Sequence, residues 1–310
     1  MPSTNKLFMY IRCFLRMTIL KIVPIDFNHP LIESKFKAIF RFLKWQLKSR
    51  LSRREHIHFW IENSKFYVRN GETGLTQNIY VGLHEFHEMG FLLHLLKPKD
   101  CFVDIGANVG SYSILAGVVN QAKVYAIEPI EETYKRLEKN LILNNLQDSC
   151  TTVLAAMGSE VGTLRMTTQY DTMNRVADSQ HSNFVKDVDS LTLDKLCVEF
   201  VPTLIKIDVE GWEFEVLKGG VQILRNPTLK ALIVETKGYG SRYGFKDSDL
   251  FDLLLNFDFK PCSYNPLTRE LKQIDLNNSQ FSNTIFVRDF PATIQRLHSA
   301  PFREILGYRI

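Results

Sequence analysis

The chain has 310 residues, of which 45% are hydrophobic, and a net charge of +4. That length and composition can bury a full core, so they exclude a low-complexity protein and indicate one large domain with or without an extension. Residues 1–54 carry twelve Lys and Arg against two acids, a charge of +10, which leaves −6 for residues 55–310. A negatively charged domain is poorly suited to binding the phosphate backbone of a nucleic acid. No nucleic-acid partner is therefore predicted.

Five cysteines are spread along the chain, and no two have the CxxC spacing of a zinc site or of a redox pair. Their number is odd, so they do not make up a complete disulfide framework. We therefore expect reduced thiols and a cytoplasmic location. The cysteines are Cys13, Cys101, Cys150, Cys197 and Cys262.

Residues 1–54 are predicted to form a basic amphipathic helical extension. The apolar stretch 7–25 is interrupted by three basic residues, so it offers no transmembrane span of about 20 apolar residues. Over 31–51 apolar side chains recur every three or four positions, the period of an amphipathic helix. Three interpretations stay open for residues 7–51: peripheral contact with an anionic membrane, packing on the body or a partner subunit, and a transit peptide.

Residues 55–98 are predicted as a hairpin and a helix that lead into the core. Alternating side chains in 57–81, with Asn70-Gly71 as a turn signal, favour the hairpin. An apolar helix then runs to Leu96, since Pro98 ends it.

From 99 to 290 the chain alternates between buried strands and helices, and a tail of residues 291–310 follows. This alternation predicts an α/β domain with a doubly wound, mostly parallel sheet and helices on both faces. The predicted strands are 101–105, 123–127, 150–156, 203–208, 229–235, about 258–264 and 283–288, and the predicted helices are 111–119, 131–145, 212–218 and 247–256.

The first of these strands ends in Asp104 and runs into a turn that contains Gly106, Asn108 and Gly110. Glycine permits tight backbone angles and close approach of a ligand, and Asn is the side chain that best tolerates left-handed angles. A dinucleotide-binding turn needs glycines at 106, 108 and 111, and position 111 is Ser. The turn therefore lacks the pyrophosphate fingerprint, and it also lacks the Gly-Lys-Ser/Thr of a P-loop.

Acidic residues end two neighbouring strands around this turn. Asp104 suits a cation rather than a diphosphate, and Glu128, after the strand 123–127, suits the hydroxyls of a ribose. S-adenosylmethionine offers an ammonium group, a sulfonium and a ribose diol, so its charges match. The alternative is that Asp104 caps the turn and Glu128 pairs with a lysine.

The chain contains four ordered sequence blocks: 104–113, 126–129, 140–144 and 206–219, the last beginning Lys206-Ile207-Asp208-Val209-Glu210-Gly211. Over roughly residues 85 to 240, these blocks resemble the FkbM family of S-adenosylmethionine-dependent methyltransferases. The resemblance implies a class I methyltransferase (Rossmann-like) sheet of seven strands with the last antiparallel, and O-methylation of a hydroxyl on a sugar, glycolipid or secondary metabolite. It also implies that Asp104, Gly106, Asn108 and Gly110 hold the methionine part and that Glu128 holds the ribose.

The chemistry of methyl transfer to a hydroxyl requires that the acceptor oxygen be aligned with the methyl group and lose its proton. Asp208 is the first candidate for the general base or acceptor-orienting group, and Glu210 is the second. The alternative role for Asp208 is to cap the helix that starts near Trp212.

No metal site is predicted. His84 and His87, with Glu85 and Glu88, lack the spacing of a zinc helix. Magnesium on Asp208 and the neighbouring strand-end acid Glu235 is an open alternative. Two other classes also stay open: a nicotinamide oxidoreductase on a similar sheet, and a non-catalytic membrane-associated module.

Overall fold

The computed structural model describes residues 25–51, 55–69, 75–170, 173–178, 184–275 and 282–310. The predictions for 7–24, for Cys13 and for a turn at Asn70-Gly71 lie outside these residues. Within them, no helix is both long and apolar enough to cross a bilayer.

Ten α-helices and fifteen strands are found in the described ranges. The helices are α1 Lys35–Leu51, α2 Thr76–Val81, α3 Phe86–Leu95, α4 Ser111–Ile114 with a π-helical continuation Leu115–Val119, α5 Glu131–Leu143, α6 Leu193–Leu196, α7 Glu213–Lys218, α8 Val221–Arg225, α9 Asp247–Leu255 and α10 Phe290–Ser299, with a 3₁₀ helix at Tyr239–Tyr243. The strands are β1 His56–Phe59, β2 Lys65–Val68, β3 Cys101–Ile105, β4 Lys123–Ile127, β5 Cys150–Val153, β6 Ala156–Met157, β7 Gly162–Thr167, β8 Val185–Leu191, β9 Leu204–Ile207, β10 Ala231–Glu235, β11 Lys260–Asn265, β12 Glu270–Gln273, β13 Asn283–Val287, β14 Glu304–Ile305 and β15 Tyr308–Arg309.

Eight strands form the central sheet, in the order β12-β11-β13-β10-β9-β3-β4-β5. Parallel pairing joins β5, β4, β3, β9 and β10. Strand β13 inserts antiparallel between β10 and β11, as predicted for the last strand. Strand β12 adds an eighth, antiparallel strand at the edge. The predicted class I methyltransferase-like fold is confirmed.

Two layers of helices cover this sheet, one on each face. The residues of β9 and β10 are buried throughout, as expected for parallel strands between helical layers. One hydrophobic cluster joins α3, α4, α5 and α10 to the sheet, and a second joins α7, α8 and α9 to the opposite face. The carboxyl ends of the parallel strands therefore meet at one edge, where open α/β sheets bind their ligands.

The predicted strand 150–156 is two strands. Strand β5 pairs with β4 up to Val153, and β6 then leaves the central sheet to pair with β8. Strands β6, β8 and β7 form a second sheet of three strands. The apolar run continues through both, so hydrophobicity alone did not indicate the break.

A hairpin is present as β1 and β2, but its turn lies at residues 60–64 and not at the predicted Asn70-Gly71, since both strands precede residue 69. Two asparagines of α5 hold β2 against the domain. Asn140 accepts a hydrogen bond from the Tyr67 amide and donates to the Val109 carbonyl. Asn144 binds the amide and the carbonyl of Lys65.

The described cysteines Cys101, Cys150, Cys197 and Cys262 are free thiols, as predicted. Burial raises the pKa of each to about 12, so they are protonated and unreactive at neutral pH.

Candidate active site

The turn after β3 is fixed by the end of β4. The amides of Gly106 and Ala107 both donate to the Ile127 carbonyl, at 3.0 and 2.9 Å. Gly106 has φ +74°, and a β-carbon there would collide with the Asp208 carbonyl oxygen. Asn108 adopts φ 53°, the left-handed conformation that its sequence position suggested. Only a residue without a β-carbon fits at 106, because the turn lies directly against the end of β9.

Asp104 lies beneath this turn and is 1% exposed. Its Oδ2 accepts a hydrogen bond of 2.6 Å from the Ser113 hydroxyl, and its buried Oδ1 has no hydrogen-bond partner. Burial raises the pKa of Asp104, while the nearby Lys206 ammonium acts in the opposite direction. The site thus holds a buried acceptor that a cationic donor would satisfy.

Glu128 binds the other side of the turn. Its two oxygens accept from the amides of Asn108 and Ile130, each at 3.0 Å. These partners are backbone amides, so the alternative of a lysine pair is wrong. Burial raises the pKa of Glu128 to about 7, against the hydrogen bonds, which lower it. Each carboxylate oxygen has a second lone pair for a ligand hydroxyl.

Lys206 and Asp208 form an ion pair at the end of β9. The Nζ to Oδ2 distance is 2.8 Å, and the Lys206 side chain is 5% exposed whereas that of Asp208 is 28% exposed. Burial alone would raise the pKa of Asp208, but the ammonium outweighs it and the pKa lies below its usual range. Asp208 is therefore a carboxylate at neutral pH that still faces solvent.

Asp208 does not cap the helix that follows, which has no side-chain cap, and Glu213 instead fixes the loop before that helix. The Glu213 Oε1 accepts from the amides of Val209 and Gly211, at 3.0 and 3.1 Å. Helix α7 begins at Glu213 with Trp212 as its N-cap residue. The alternative that Asp208 caps this helix is therefore wrong, and its carboxylate is left for the ion pair and the rim.

Three carboxylates, those of Asp208, Glu210 and Glu235, have oxygens within 4.8 Å of one another. Glu235 ends β10 and is 3% exposed. Its Oε1 accepts from Lys237 at 2.6 Å, and its buried Oε2 has no hydrogen-bond partner. Burial, then the neighbouring carboxylates, raise the pKa of Glu235 to about 9.

Glu210 lies on the outer side of this cluster. Its backbone has φ 59°, an uncommon conformation outside glycine. Burial raises the pKa of Glu210, and the charge of Asp208 raises it further. Glu210 is therefore the stronger base of the two predicted catalytic residues.

The structure brings the predicted residues into two adjacent groups. Asp104, the turn and Glu128 form one, and Asp208 and Glu210 form the other. The backbone joins them, since the Asp208 amide donates to the Ile105 carbonyl at 3.1 Å. The assigned roles of these residues remain predictions.

Sequence reasoning missed the role of Lys206, although a signal was present. Residues two apart in a strand lie on the same face, so the spacing of Lys206 and Asp208 indicated an ion pair.

Sequence reasoning also missed the long-range hydrogen bonds of Glu85. That carboxylate accepts hydrogen bonds from the Tyr112 hydroxyl at 2.6 Å and from the Asn283 amide at 2.7 Å. Glu85 thus links the helix after the turn to β13, and no local pattern indicates such a distant partner.

Several known proteins resemble the chain. The sequence model described as Methyltransferase FkbM domain matches residues 104–261. Methyltransferase sdnD of Sordaria araneosa is 31% identical over 159 residues, which cover 40% of this chain and 61% of that protein. Hexuronic acid methyltransferase AglP of Haloferax volcanii is 26% identical over 143 residues, which cover 44% of this chain and 56% of that protein. The chain thus spans less than two thirds of the length of these relatives.

Solved structures also match. Pyrococcus horikoshii TYW2 in complex with MeSAdo aligns at a TM-score of 0.39 and 15% identity, over 76% of this chain and 70% of that one. M. jannaschii TYW2 in complex with AdoMet aligns at a TM-score of 0.38 and 15% identity, over 76% of this chain and 88% of that one.

The strand order and the acidic edge define a class I methyltransferase-type domain. The match over residues 104–261 covers just over half of the chain, and the chain belongs to the FkbM methyltransferase family. The family prediction is confirmed. Membership favours methyl transfer over the oxidoreductase and the non-catalytic alternatives.

The residues present fit S-adenosylmethionine, the methyl donor that the family implies. The unsatisfied Oδ1 of Asp104 suits an ammonium group, and the free lone pairs of Glu128 suit ribose hydroxyls. The glycine at position 106 leaves the backbone open to close approach. Neither Asp104 nor Glu128 forms a salt bridge with a described lysine, so no such bond has to be broken before a donor binds.

Proposed function

We propose that this chain transfers the methyl group of S-adenosylmethionine to a hydroxyl group of a sugar, a glycolipid or a secondary metabolite. One observation carries the proposal: the turn between Asp104 and Glu128 lies directly against Asp208, so a donor site and a proton-accepting rim share one edge of the sheet. When bound, S-adenosylmethionine supplies a methyl group on a positively charged sulfur.

Donor binding rests on two buried acids with different tasks. Asp104 binds the ammonium group through its unsatisfied Oδ1, and Glu128 accepts hydrogen bonds from the ribose hydroxyls. Gly106, Asn108 and Gly110 shape the backbone that lies against the methionine part. One of the two amides that bind Glu128 is that of Asn108, so this carboxylate is joined directly to the turn.

Acceptor activation is divided between two rim carboxylates. Asp208 is held ionised by Lys206, and it orients the acceptor hydroxyl by accepting its hydrogen bond. Glu210, whose pKa is raised, receives the hydroxyl proton as the new oxygen–carbon bond forms and the carbon–sulfur bond breaks. The rate then depends mainly on how well the acceptor oxygen is aligned with the methyl carbon.

The acceptor class is supported by the relatives. One of them is named a hexuronic acid methyltransferase, so hexuronic acids are the first acceptors to try. Sugar hydroxyls need an orienting group and a base, which Asp208 and Glu210 offer.

The test uses purified full-length chain, S-adenosylmethionine and a panel of hydroxyl compounds that starts with hexuronic acids. We expect release of S-adenosylhomocysteine with at least one acceptor. Asp208→Asn should keep donor affinity in calorimetry and lose most turnover, whereas Asp148→Asn, an exposed aspartate elsewhere, should change neither. Donor binding by the wild type without transfer to any hydroxyl would contradict the proposal.

We also propose that the helical extension contacts a membrane surface. Helix α1, which belongs to this extension, is basic and contains no acidic residue, which supports that contact.

A further inference from the structure

Helix α1 presents a row of large apolar side chains to solvent, which we call the outer stripe: Phe40, Leu43, Leu47 and Leu51. They are 67%, 55%, 63% and 80% exposed. Their spacing of three, four and four residues places them on one side of the helix over three turns. Exposed apolar rows of this length usually mark an interaction surface.

The opposite side of α1 holds the helix on the body. Ala38 and Trp45 are buried. The Arg41 Nε donates to the Tyr80 carbonyl at 2.7 Å, and the rings of Phe42 and Tyr80 meet edge to face at 5.3 Å. Because this inner side already packs on the domain, the outer stripe is directed away from it.

Basic side chains border the outer stripe. Lys44, Lys48 and Arg50 are exposed and form no ion pair with a described residue. The helix contains no acidic residue. Lys44 and Lys48 also line a cavity of about 450 Å³ together with Ile57 and Phe59, two further exposed apolar residues. The bases thus lie between two apolar rows.

The positive charge around the outer stripe indicates which kind of partner can bind there. A second copy of the chain would bring two basic surfaces together, and residues 1–24 carry four basic and no acidic residues, so they would repel this face as well. A bilayer with anionic headgroups matches both the apolar row and the bases.

We infer that the outer stripe inserts into the headgroup region of an anionic membrane, with Lys44, Lys48 and Arg50 binding lipid phosphates or carboxylates. This deepens the membrane contact proposed above and is independent of the methyltransferase site. The chain is thereby placed at the surface where glycolipid acceptors reside, without a membrane span of its own among the described helices.

The test is sedimentation of the full chain with vesicles of phosphatidylcholine alone or of an equal mixture with phosphatidylserine. We expect binding to the mixed vesicles only, weakened by salt. The double variant Phe40→Ser with Leu47→Ser should reduce the binding at least about tenfold, because two inserted apolar side chains are removed. The pair Lys44→Glu with Lys48→Glu should reduce it similarly.

A matched control is Ile142→Ser with Val198→Ser, two residues that are 56% and 72% exposed elsewhere on the body, and it should bind like the wild type. Wild type that stays in solution with both vesicle types overturns the inference. So does self-association that the stripe variant abolishes without any vesicle binding. Calorimetry with S-adenosylmethionine on the same samples keeps this outcome separate from the proposed reaction, since the stripe variants should retain donor affinity.

Discussion

Lys206 offsets the charge repulsion among the carboxylates that cluster at the carboxyl edge of the sheet. Like charges within 4.8 Å repel, and burial adds to the cost, so such a cluster needs compensating cations. Lys206 holds Asp208 ionised, and Lys237 pairs with Glu235. The result is a set of acids with separated pKa values, an arrangement suited to dividing orientation and proton transfer between different groups.

The pH dependence of turnover should report this coupling. The charge of Asp208 raises the pKa of Glu210, after burial, and a proton acceptor works only when deprotonated. In Asp208→Asn that charge is gone, so the pKa of Glu210 falls. We expect kcat to drop about 10²-fold and its acidic limb to move to lower pH, measured as a pH–rate profile. An acidic limb that does not move would show that Asp208 does not influence the pKa of the proton acceptor.

Turnover should not depend on a divalent metal. Two of the three clustered carboxylates, Asp208 and Glu235, already pair with lysines, which compete with a cation for the same oxygens. We expect full activity after thorough chelation and no gain from added magnesium. Loss of activity on chelation and recovery with magnesium would instead assign the cluster to a metal.

At the scale of elements, the site depends on how closely the β3 turn meets the end of β9. Gly106→Ala places a β-carbon against the Asp208 carbonyl and strains a positive φ. We expect a loss of about 2–4 kcal/mol in the free energy of unfolding by urea, together with weaker donor binding. Gly162→Ala, in open space on β7, is the control and should be neutral or slightly stabilising. Equal stability of both variants would contradict the close contact.

The asparagines of α5 connect the hairpin to the same turn. Asn140→Ala would leave the Tyr67 amide and the Val109 carbonyl without partners. We expect a loss of about 2–4 kcal/mol in unfolding free energy and a smaller loss of donor affinity, because Val109 belongs to the turn. Asn256→Ala, at an exposed helix end, should cost far less. A variant as stable as the wild type would show that water replaces these hydrogen bonds.

At the scale of the whole molecule, local patterns predicted the alternating core because each buried strand and its following turn are contiguous in sequence. The strand 101–105 and the turn at 104–110 are examples of such contiguous features. The antiparallel placement of the last strand came from family resemblance. What could not be predicted depends on distant contacts: the edge strand β12, the break after Val153, and the Glu85 link to Asn283.

The side of α1 that packs on the body could not be read from periodicity either. Leu43 and Leu47 belong to the apolar period noted over 31–51, yet the structure leaves them exposed, whereas Ala38 and Trp45 are buried. Two faces of the helix carry apolar residues, and only the tertiary contacts decide between them.

The central claim is that the acid beneath the β3 turn binds a cationic sulfur nucleoside. Asp104→Asn tests it most directly, because the amide keeps an acceptor for Ser113 but replaces the other carboxylate oxygen by an uncharged NH2 group. Calorimetric titration with S-adenosylmethionine should show binding to the wild type and to Asp148→Asn, and at least about tenfold weaker binding to Asp104→Asn. Unchanged affinity in a folded Asp104→Asn protein would contradict the account.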